Sequence, residues 1–355
     1  MPDVALGAIS FNGGTGGIAR VARLVAKVLV EDYLRGRLGL TLLSFNDRAP
    51  IKDFPAPVVQ ARGSKTRFTF ASLLQARRCS HFLYDACHLP QVHQLPGLAR
   101  RPYLTFLHGI EIWETAKSGY IRTAQRAHTL LVNSQFTLDR AERLHGRFPK
   151  ARVCWLGTEM DDLPEAPAIG DGPPQVLIVA RLEDERYKGH RELIACWPRV
   201  VAAVPDAMLR IVGQGPDREA LQKLAAQSPT ASRIVFEGFV SEATLQAHYA
   251  NATVFCMPSR GEGFGLVYIE AMRQGLPVVA SIHDAASEVV CDGQTGYVVN
   301  MDSPDELPER LVALLANRER ARAMGLAGQR RWAEHFRFSA FRERFLPLLH
   351  EFLGQ

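Results

Sequence analysis

Strand-like and helix-like segments alternate along nearly all of this 355-residue chain, and no other feature limits its fold so strongly. Strands joined through a helix pair in parallel, because the chain needs a crossover to return to the same end of the sheet. In the first half, apolar runs at 4–10, 39–45, 81–87, 103–107, 129–132 and 152–156 read as strands. Helical periodicity at 17–34, 66–78, 117–127 and 135–145 separates most of them. Residues 161–175 hold four prolines, four acids and two glycines with little to bury, and read as a linker. The alternation then restarts, with strands at 176–182, 208–213, 234–239, 253–258, 277–281 and 296–299 and helices at 189–204, 217–226, 242–250, 264–274 and 304–316. The fold class is therefore α/β, with two doubly wound Rossmann-like domains at 1–165 and 166–335. Residues 336–355 read as a C-terminal helix that packs back on the N-terminal domain. The arginines of the tail, among them Arg331, Arg342 and Arg344, read as solvated. A ligand is expected in the cleft that the two domains would face.

Composition excludes other classes. With 47% hydrophobic and 22% charged residues the chain is neither disordered nor fibrous, and no apolar run reaches the length of a membrane-spanning helix. Cys79, Cys87, Cys154, Cys196, Cys256 and Cys291 contain no Cys-x-x-Cys pair and read as free thiols in a reducing compartment. The first residues, MPDVALGAISFNGGTGG, carry an acid where a secretory leader would carry cations. A cytoplasmic protein is expected, peripheral on the inner membrane face if it meets lipid. Residues 1–165 hold 22 Lys and Arg against 14 Asp and Glu, or +8, whereas 166–355 hold 20 against 23, or −3. A basic first half suggests an anionic partner on that side. The segment Lys65 to Arg78 places Phe70, Leu73 and Leu74 at helical spacing among Lys65, Arg67, Arg77 and Arg78, which suits an anionic membrane surface.

The loop Asn12-Gly-Gly-Thr-Gly16-Gly17 follows the first strand and opens the first helix, a placement that lets backbone approach a phosphate. Gly14, Gly16 and Ala19 also fit the dinucleotide fingerprint, and Asp47, at the end of the second strand, stands near the place of its ribose-binding acid. An NAD-dependent oxidoreductase is therefore one reading of the first half.

The second half points elsewhere. Pro258-Ser-Arg-Gly-Glu262-Gly263-Phe264-Gly265-Leu266-Val-Tyr-Ile-Glu270 leads from a strand through a glycine-rich turn into a helix. The glycines allow backbone to close on a charged ligand, and the helix start offers its positive end to a diphosphate. Glu270 can then accept from vicinal hydroxyls, and Glu262 stands at the mouth. This stretch resembles the donor-binding signature of the retaining glycosyltransferases of family 4, which have the GT-B fold. Arg181 and Lys188-Gly189 after the first strand of this half resemble the family's cation pair, with Ala180 where the family often has Gly. Gly213-Gln-Gly215 and Glu237-Gly-Phe-Val240 resemble its base-contacting loops, and His108 after a strand resembles its active-site histidine.

What the resemblance implies is hexose transfer with retention from a nucleotide sugar, GDP-mannose or a UDP-hexose, to a glycan or polyprenyl-linked acceptor in cell-surface polysaccharide assembly. His108, Glu262, Arg181 and Lys188 would be catalytic. Gly16, Gly17, Val240, Gly263, Phe264, Gly265, Leu266 and Glu270 would join Arg181, Lys188 and Glu262 around the donor. No cofactor and no metal are expected: Glu183-Asp-Glu185 reads as a solvated charge run, as do Arg186 and His190 as surface residues. No nucleic acid is expected as a partner. A non-hydrolysing nucleotide-sugar epimerase of the same fold is the other enzyme reading.

Overall fold

A computed structural model of the chain describes residues 1–12, 16–164, 169, 172–183 and 188–355. It divides into two compact units: residues 1–160 with 338–355, and residues 161–337.

The first unit is built on β1 (Asp3–Ala8), β2 (Gly39–Ser44), β3 (Val58–Gln60), β4 (His81–Tyr84), β5 (Tyr103–Leu107), β6 (Thr129–Val132) and β7 (Ala151–Val153). All pair in parallel in the order β3-β2-β1-β4-β5-β6-β7. The helices are α1 (Gly17–Leu34), α2 (Lys65–Gln75), α3 (Ser118–Arg126) and α4 (Gln135–His145). The central strands are largely apolar because helices cover both faces: all five residues of β5 are buried.

The second unit holds β8 (Gln175–Val179), β9 (Met208–Val212), β10 (Ile234–Gly238), β11 (Val254–Cys256), β12 (Val278–Ser281) and β13 (Gly296–Val299), parallel in the order β10-β9-β8-β11-β12-β13. Its helices are α5 (His190–Ala203), α6 (Arg218–Ala226), α7 (Glu242–Asn251), α8 (Leu266–Arg273), α9 (Ala286–Val289), α10 (Glu306–Leu315) and α11 (Arg318–His335). The last helix, α12 (Phe338–Leu353), belongs to the first unit, where Arg342 Nε bonds Glu31 Oε2 at 2.7 Å and the Lys27 ammonium lies 3.9 Å from the Phe338 ring centroid. These are two doubly wound, Rossmann-like sheets, as the alternation predicts.

The tail arginines depart from expectation. Arg331 donates to the Val289 and Glu288 carbonyls at the end of α9, at 2.8 and 2.9 Å. Arg344 donates to the Trp155 carbonyl at 3.2 Å, and burial lowers its pKa. These side chains satisfy main-chain acceptors that lack a partner where a helix or strand ends. All six cysteines are free, and burial pushes the Cys79 thiol up to about 11.

Candidate functional site

Six parallel strands place six loops along one edge of the second sheet. Strand order reverses between β8 and β11, whose following loops leave in opposite directions and open a crevice. Two residues singled out from sequence meet there. Lys188, in the loop after β8, brings its Nζ to 2.5 Å from Oε2 of Glu262, in the loop after β11. The two side chains are 13% and 25% exposed, so the pair is dry enough to count and open enough for a ligand to reach.

The backbone around this pair leaves little freedom. Gly189, the N-cap of α5, has φ +84°, and a Cβ there would meet the Pro258 ring at 2.5 Å and the Pro258 carbonyl oxygen at 2.7 Å. Gly265, the N-cap of α8, has φ +87°, and its missing Cβ makes room for the Tyr268 ring. The α8 start has no side-chain cap and no acid in its first turn, so its free N–H groups and dipole favour an anion. The helix begins at Leu266, two residues later than expected, because the left-handed Gly265 cannot continue it backwards. Glu270 therefore lies about one turn in, half-buried, with the Tyr249 hydroxyl 3.5 Å from its Oε2. Gly263 is buried, and Phe264 packs its ring on Phe336 at a centroid distance of 6.0 Å, leaving only its backbone for a ligand.

Two residues not read from the sequence complete this edge. Asp284, three residues beyond β12, is fully buried; its Oδ1 accepts from the Ala286 N–H at 2.8 Å. The Tyr268 hydroxyl lies 2.9 Å from the Met257 carbonyl and 3.3 Å from Asp284 Oδ2. Burial drives the Asp284 pKa well above the carboxylate range, and the charge of Glu262 adds to the shift. Glu262 is itself held through its carbonyl, which accepts from the Ala285 N–H at 3.1 Å. An acid three residues past a strand, at the carboxyl edge, was the available signal for Asp284.

Other expected residues fall differently. Arg181 is 65% exposed and pairs with Glu183 at 2.7 Å. Val240 is half-buried beyond β10, at the sheet's edge, beside the 68%-exposed Phe239. His190 is buried, contrary to a surface reading; burial, with Lys188 beside it, presses its pKa down to about 4. Arg186, Asp184 and Glu185 lie outside the described residues, as does the 13–15 part of the first glycine loop. Among the described residues, no group of three or more His, Cys, Asp or Glu is arranged to hold a metal ion.

In the first unit, strand order reverses between β1 and β4. Gly16 caps α1 and Gly17 begins it, both exposed. Asp47, the ribose acid of the dinucleotide reading, is buried and already engaged. It accepts from Ser10 Oγ at 2.5 Å, Ser44 Oγ and Phe11 N at 2.7 Å, and Asn12 Nδ2 at 2.9 Å. It fixes the entry to the glycine loop and has no capacity left for a ribose, which corrects that reading. His108 follows β5 and is firmly oriented: Nε2–H donates to the Asp85 carbonyl at 2.5 Å, and the main-chain N–H donates to Glu111 Oε1 at 2.5 Å. Asn133 Nδ2 donates to the His108 carbonyl at 3.0 Å. The Asp85 carbonyl thus takes Nε2, and Nδ1 is the ring's other nitrogen.

Comparison with known proteins agrees with the arrangement in the second unit. Residues 159–331 match the family model described as Glycosyl transferases group 1. A GDP-mannose-dependent alpha-(1-6)-phosphatidylinositol monomannoside mannosyltransferase of Mycolicibacterium smegmatis is 36% identical over 249 residues, covering 64% of this chain and 64% of that protein. Its namesake from Mycobacterium tuberculosis is 40% identical over 262 residues, 67% of this chain and 66% of that one. The alignments thus span a little under two thirds of these relatives' length. Among solved structures, sucrose-phosphate synthase from Thermosynechococcus elongatus superposes with a TM-score of 0.83 at 20% identity over 100% of both chains. Anabaena Alr3699/HepE in complex with UDP and glucose gives 0.78 at 20% identity, covering 99% of this chain and 100% of that one. At such identity these structures speak for the fold.

The half-buried ion pair makes a testable energetic claim. Glu262→Gln leaves the Lys188 ammonium without its anion and should cost about 1–3 kcal/mol in stability. Lys188→Met added to that background should recover most of the loss. A double-mutant cycle by denaturant unfolding checks this, and additive losses would show that the pair is not coupled in solution.

Proposed function

We propose that this chain, a member of the glycosyl transferases group 1 family through residues 159–331, moves a hexose from a nucleotide-sugar donor to a lipid-linked acceptor with retention at the anomeric carbon. The observation that carries the reading is the meeting of Lys188 and Glu262 at the strand-order reversal, with the uncapped start of α8 and Glu270 beside it. Without ligand the Lys188 charge is balanced by Glu262. A donor diphosphate would take that cation over, releasing the Glu262 carboxylate to orient a hydroxyl of the sugar. Glu270 would accept from the ribose. As the bond from the anomeric carbon to the diphosphate oxygen breaks, charge grows on the diphosphate, where Lys188 and the N–H groups of 263–266 hold it. The acceptor oxygen forms its bond on the same face, and its proton passes to the departing diphosphate oxygen. No separate base is required, nor a metal, so transfer should survive a chelator. Arg181 would act only after leaving Glu183.

GDP-mannose is the donor we favour, because the relatives at 36% and 40% identity are named GDP-mannose-dependent, whereas the UDP complex is only 20% identical. The same relatives, by name, act on phosphatidylinositol monomannosides, which favours a lipid acceptor here.

The surface of α2 supports membrane delivery of such an acceptor. Phe68, Ala71 and Ser72 are its buried residues, and Leu73 packs partly on the core rather than joining Phe70 and Leu74 as expected. Phe70 is 64% and Leu74 43% exposed, among exposed Lys65, Arg67, Arg77 and Arg78. Such a face suits an anionic bilayer, each cation adding about 1 kcal/mol near the surface. No helix among the described residues is long and apolar enough to cross a membrane, so association would be peripheral.

Glu270→Ala should weaken GDP binding by about 1.5–3 kcal/mol, the loss of a charged hydrogen-bond acceptor. Unchanged affinity by calorimetry would remove the ribose assignment. In sedimentation with liposomes, wild-type protein should bind more as anionic lipid rises, and Arg67→Gln/Arg77→Gln/Arg78→Gln should abolish that dependence. Binding indifferent to lipid charge or to these changes would exclude α2 as the membrane face.

A further inference from the structure

Glu262 is held twice, by Lys188 through its carboxylate and by the loop after β12 through its main-chain carbonyl. We propose that Asp284, fully buried beneath that loop, is a positioning residue: it fixes the turn that keeps Glu262 in place once a donor has drawn Lys188 away. This rests on the nucleotide-sugar reading of the same site and adds to it a residue that acts through Glu262.

Hydrogen bonds among a few short stretches of the second unit build the turn. β12 ends at Ser281, whose hydroxyl donates to the Ser259 carbonyl at 2.5 Å and accepts from the His283 N–H at 3.0 Å. Asp284 follows, and its Oδ1 accepts from the Ala286 N–H at 2.8 Å, closing the turn around Ala285. The Ala285 N–H is thereby aimed at the Glu262 carbonyl, 3.1 Å away. The second carboxyl oxygen, Oδ2, lies 3.3 Å from the Tyr268 hydroxyl, which donates to the Met257 carbonyl at 2.9 Å. The Tyr268 ring itself fills the space left by the missing Cβ of Gly265. One buried carboxyl group thus joins the loop after β12 to the end of β11 and to the first turn of α8. Glu262 lies on the stretch of chain between those last two.

The two holds on Glu262 differ in what a donor does to them. A diphosphate competes for the Lys188 ammonium and so loosens the carboxylate. It leaves the Ala285–Glu262 main-chain bond intact, and that bond then carries the orientation of the residue. A shift of about 1 Å in a group that orients reacting atoms can cost about a hundredfold in rate. The groups proposed to hold the diphosphate are anchored on other elements: Lys188 directly precedes the N-cap of α5, and Phe264 packs on Phe336 at the start of α8. Loss of Asp284 should therefore fall on turnover and spare diphosphate affinity.

The test measures steady-state transfer from GDP-mannose to a phosphatidylinositol-type acceptor, and GDP affinity by calorimetry, on the full chain. Asp284→Ala should lower kcat at least tenfold with the GDP Kd within about twofold of wild type. Asp284→Asn, whose amide oxygen can still accept from the Ala286 N–H, should recover most of the rate. In a Glu262→Ala background Asp284→Ala should cost no further turnover, because the group it positions is gone. Losses that multiply, a GDP affinity that falls with kcat, or an Asn variant as slow as the Ala variant would overturn the role. If Asp284→Ala does not fold, Tyr268→Phe takes its place. The Met257 carbonyl keeps the Ser259 N–H at 2.8 Å, so that variant should fold. It should lower kcat severalfold in the wild-type background and not in Glu262→Ala, and an unchanged kcat would overturn the role. Failure of these outcomes in a protein that binds GDP and transfers mannose refutes the positioning role alone. A wild-type protein that does neither refutes the nucleotide-sugar reading, and this role with it.

Discussion

Parallel pairing is the constraint on which the rest depends. It sends every strand of a sheet the same way and gathers all following loops on one edge. In the second unit that edge carries Lys188, Glu262, Gly265 and Asp284, which are dispersed over almost a hundred residues of chain. The reversal of order between β8 and β11 then separates two of those loops enough to leave room for a ligand. Glycines at 189 and 265 are the local consequence: one admits the Pro258 backbone, the other the Tyr268 ring, and both turn the chain straight into a helix whose N-terminus faces the crevice.

Electrostatics on this edge is arranged as an exchange. Lys188 and Glu262 balance one another, so neither charge is left alone when half-buried. In the proposed function a diphosphate would offer Lys188 a stronger anion, and the start of α8, with no acid in its first turn, would add to it. Burial, with the Glu262 charge adding to it, raises the Asp284 pKa well above the carboxylate range. The first unit uses its carboxylates differently. Asp47 spends its oxygens on two serines, a main-chain N–H and an asparagine amide to shape the glycine loop, and Asp85, whose pKa burial raises well above the carboxylate range, holds the His108 ring through its main-chain carbonyl.

Much of the fold was legible because strands buried on both faces appear as plain apolar runs. β5, β6 and β13 match their expected bounds to the residue. β3 was missed: three residues, none buried, lying directly after Pro57 offer no run to see. Lys188, Glu262 and Glu270 were visible through their setting between strand, glycine turn and helix. What escaped was set by tertiary packing. His190 and the arginines of α11 and α12 look like surface residues until the elements that cover them are in place. The outward face of α2 was misread by one residue at Leu73, because 3.6-residue periodicity does not say which edge of an apolar stripe the sheet takes. Asp47 looked like a ligand acid because three of its four internal donors come from residues 10–12, more than thirty residues away in the chain.

The central claim is that the Lys188–Glu262 edge binds an activated sugar and releases it with retained configuration. Following the anomeric protons by NMR while the protein acts on GDP-α-mannose with a phosphatidylinositol-type acceptor tests it most directly. The account predicts donor loss matched by a new α-linked mannoside, with the rate reduced at least a hundredfold in Lys188→Met. A β-linked product, or donor consumption that Lys188→Met leaves unchanged, would contradict it.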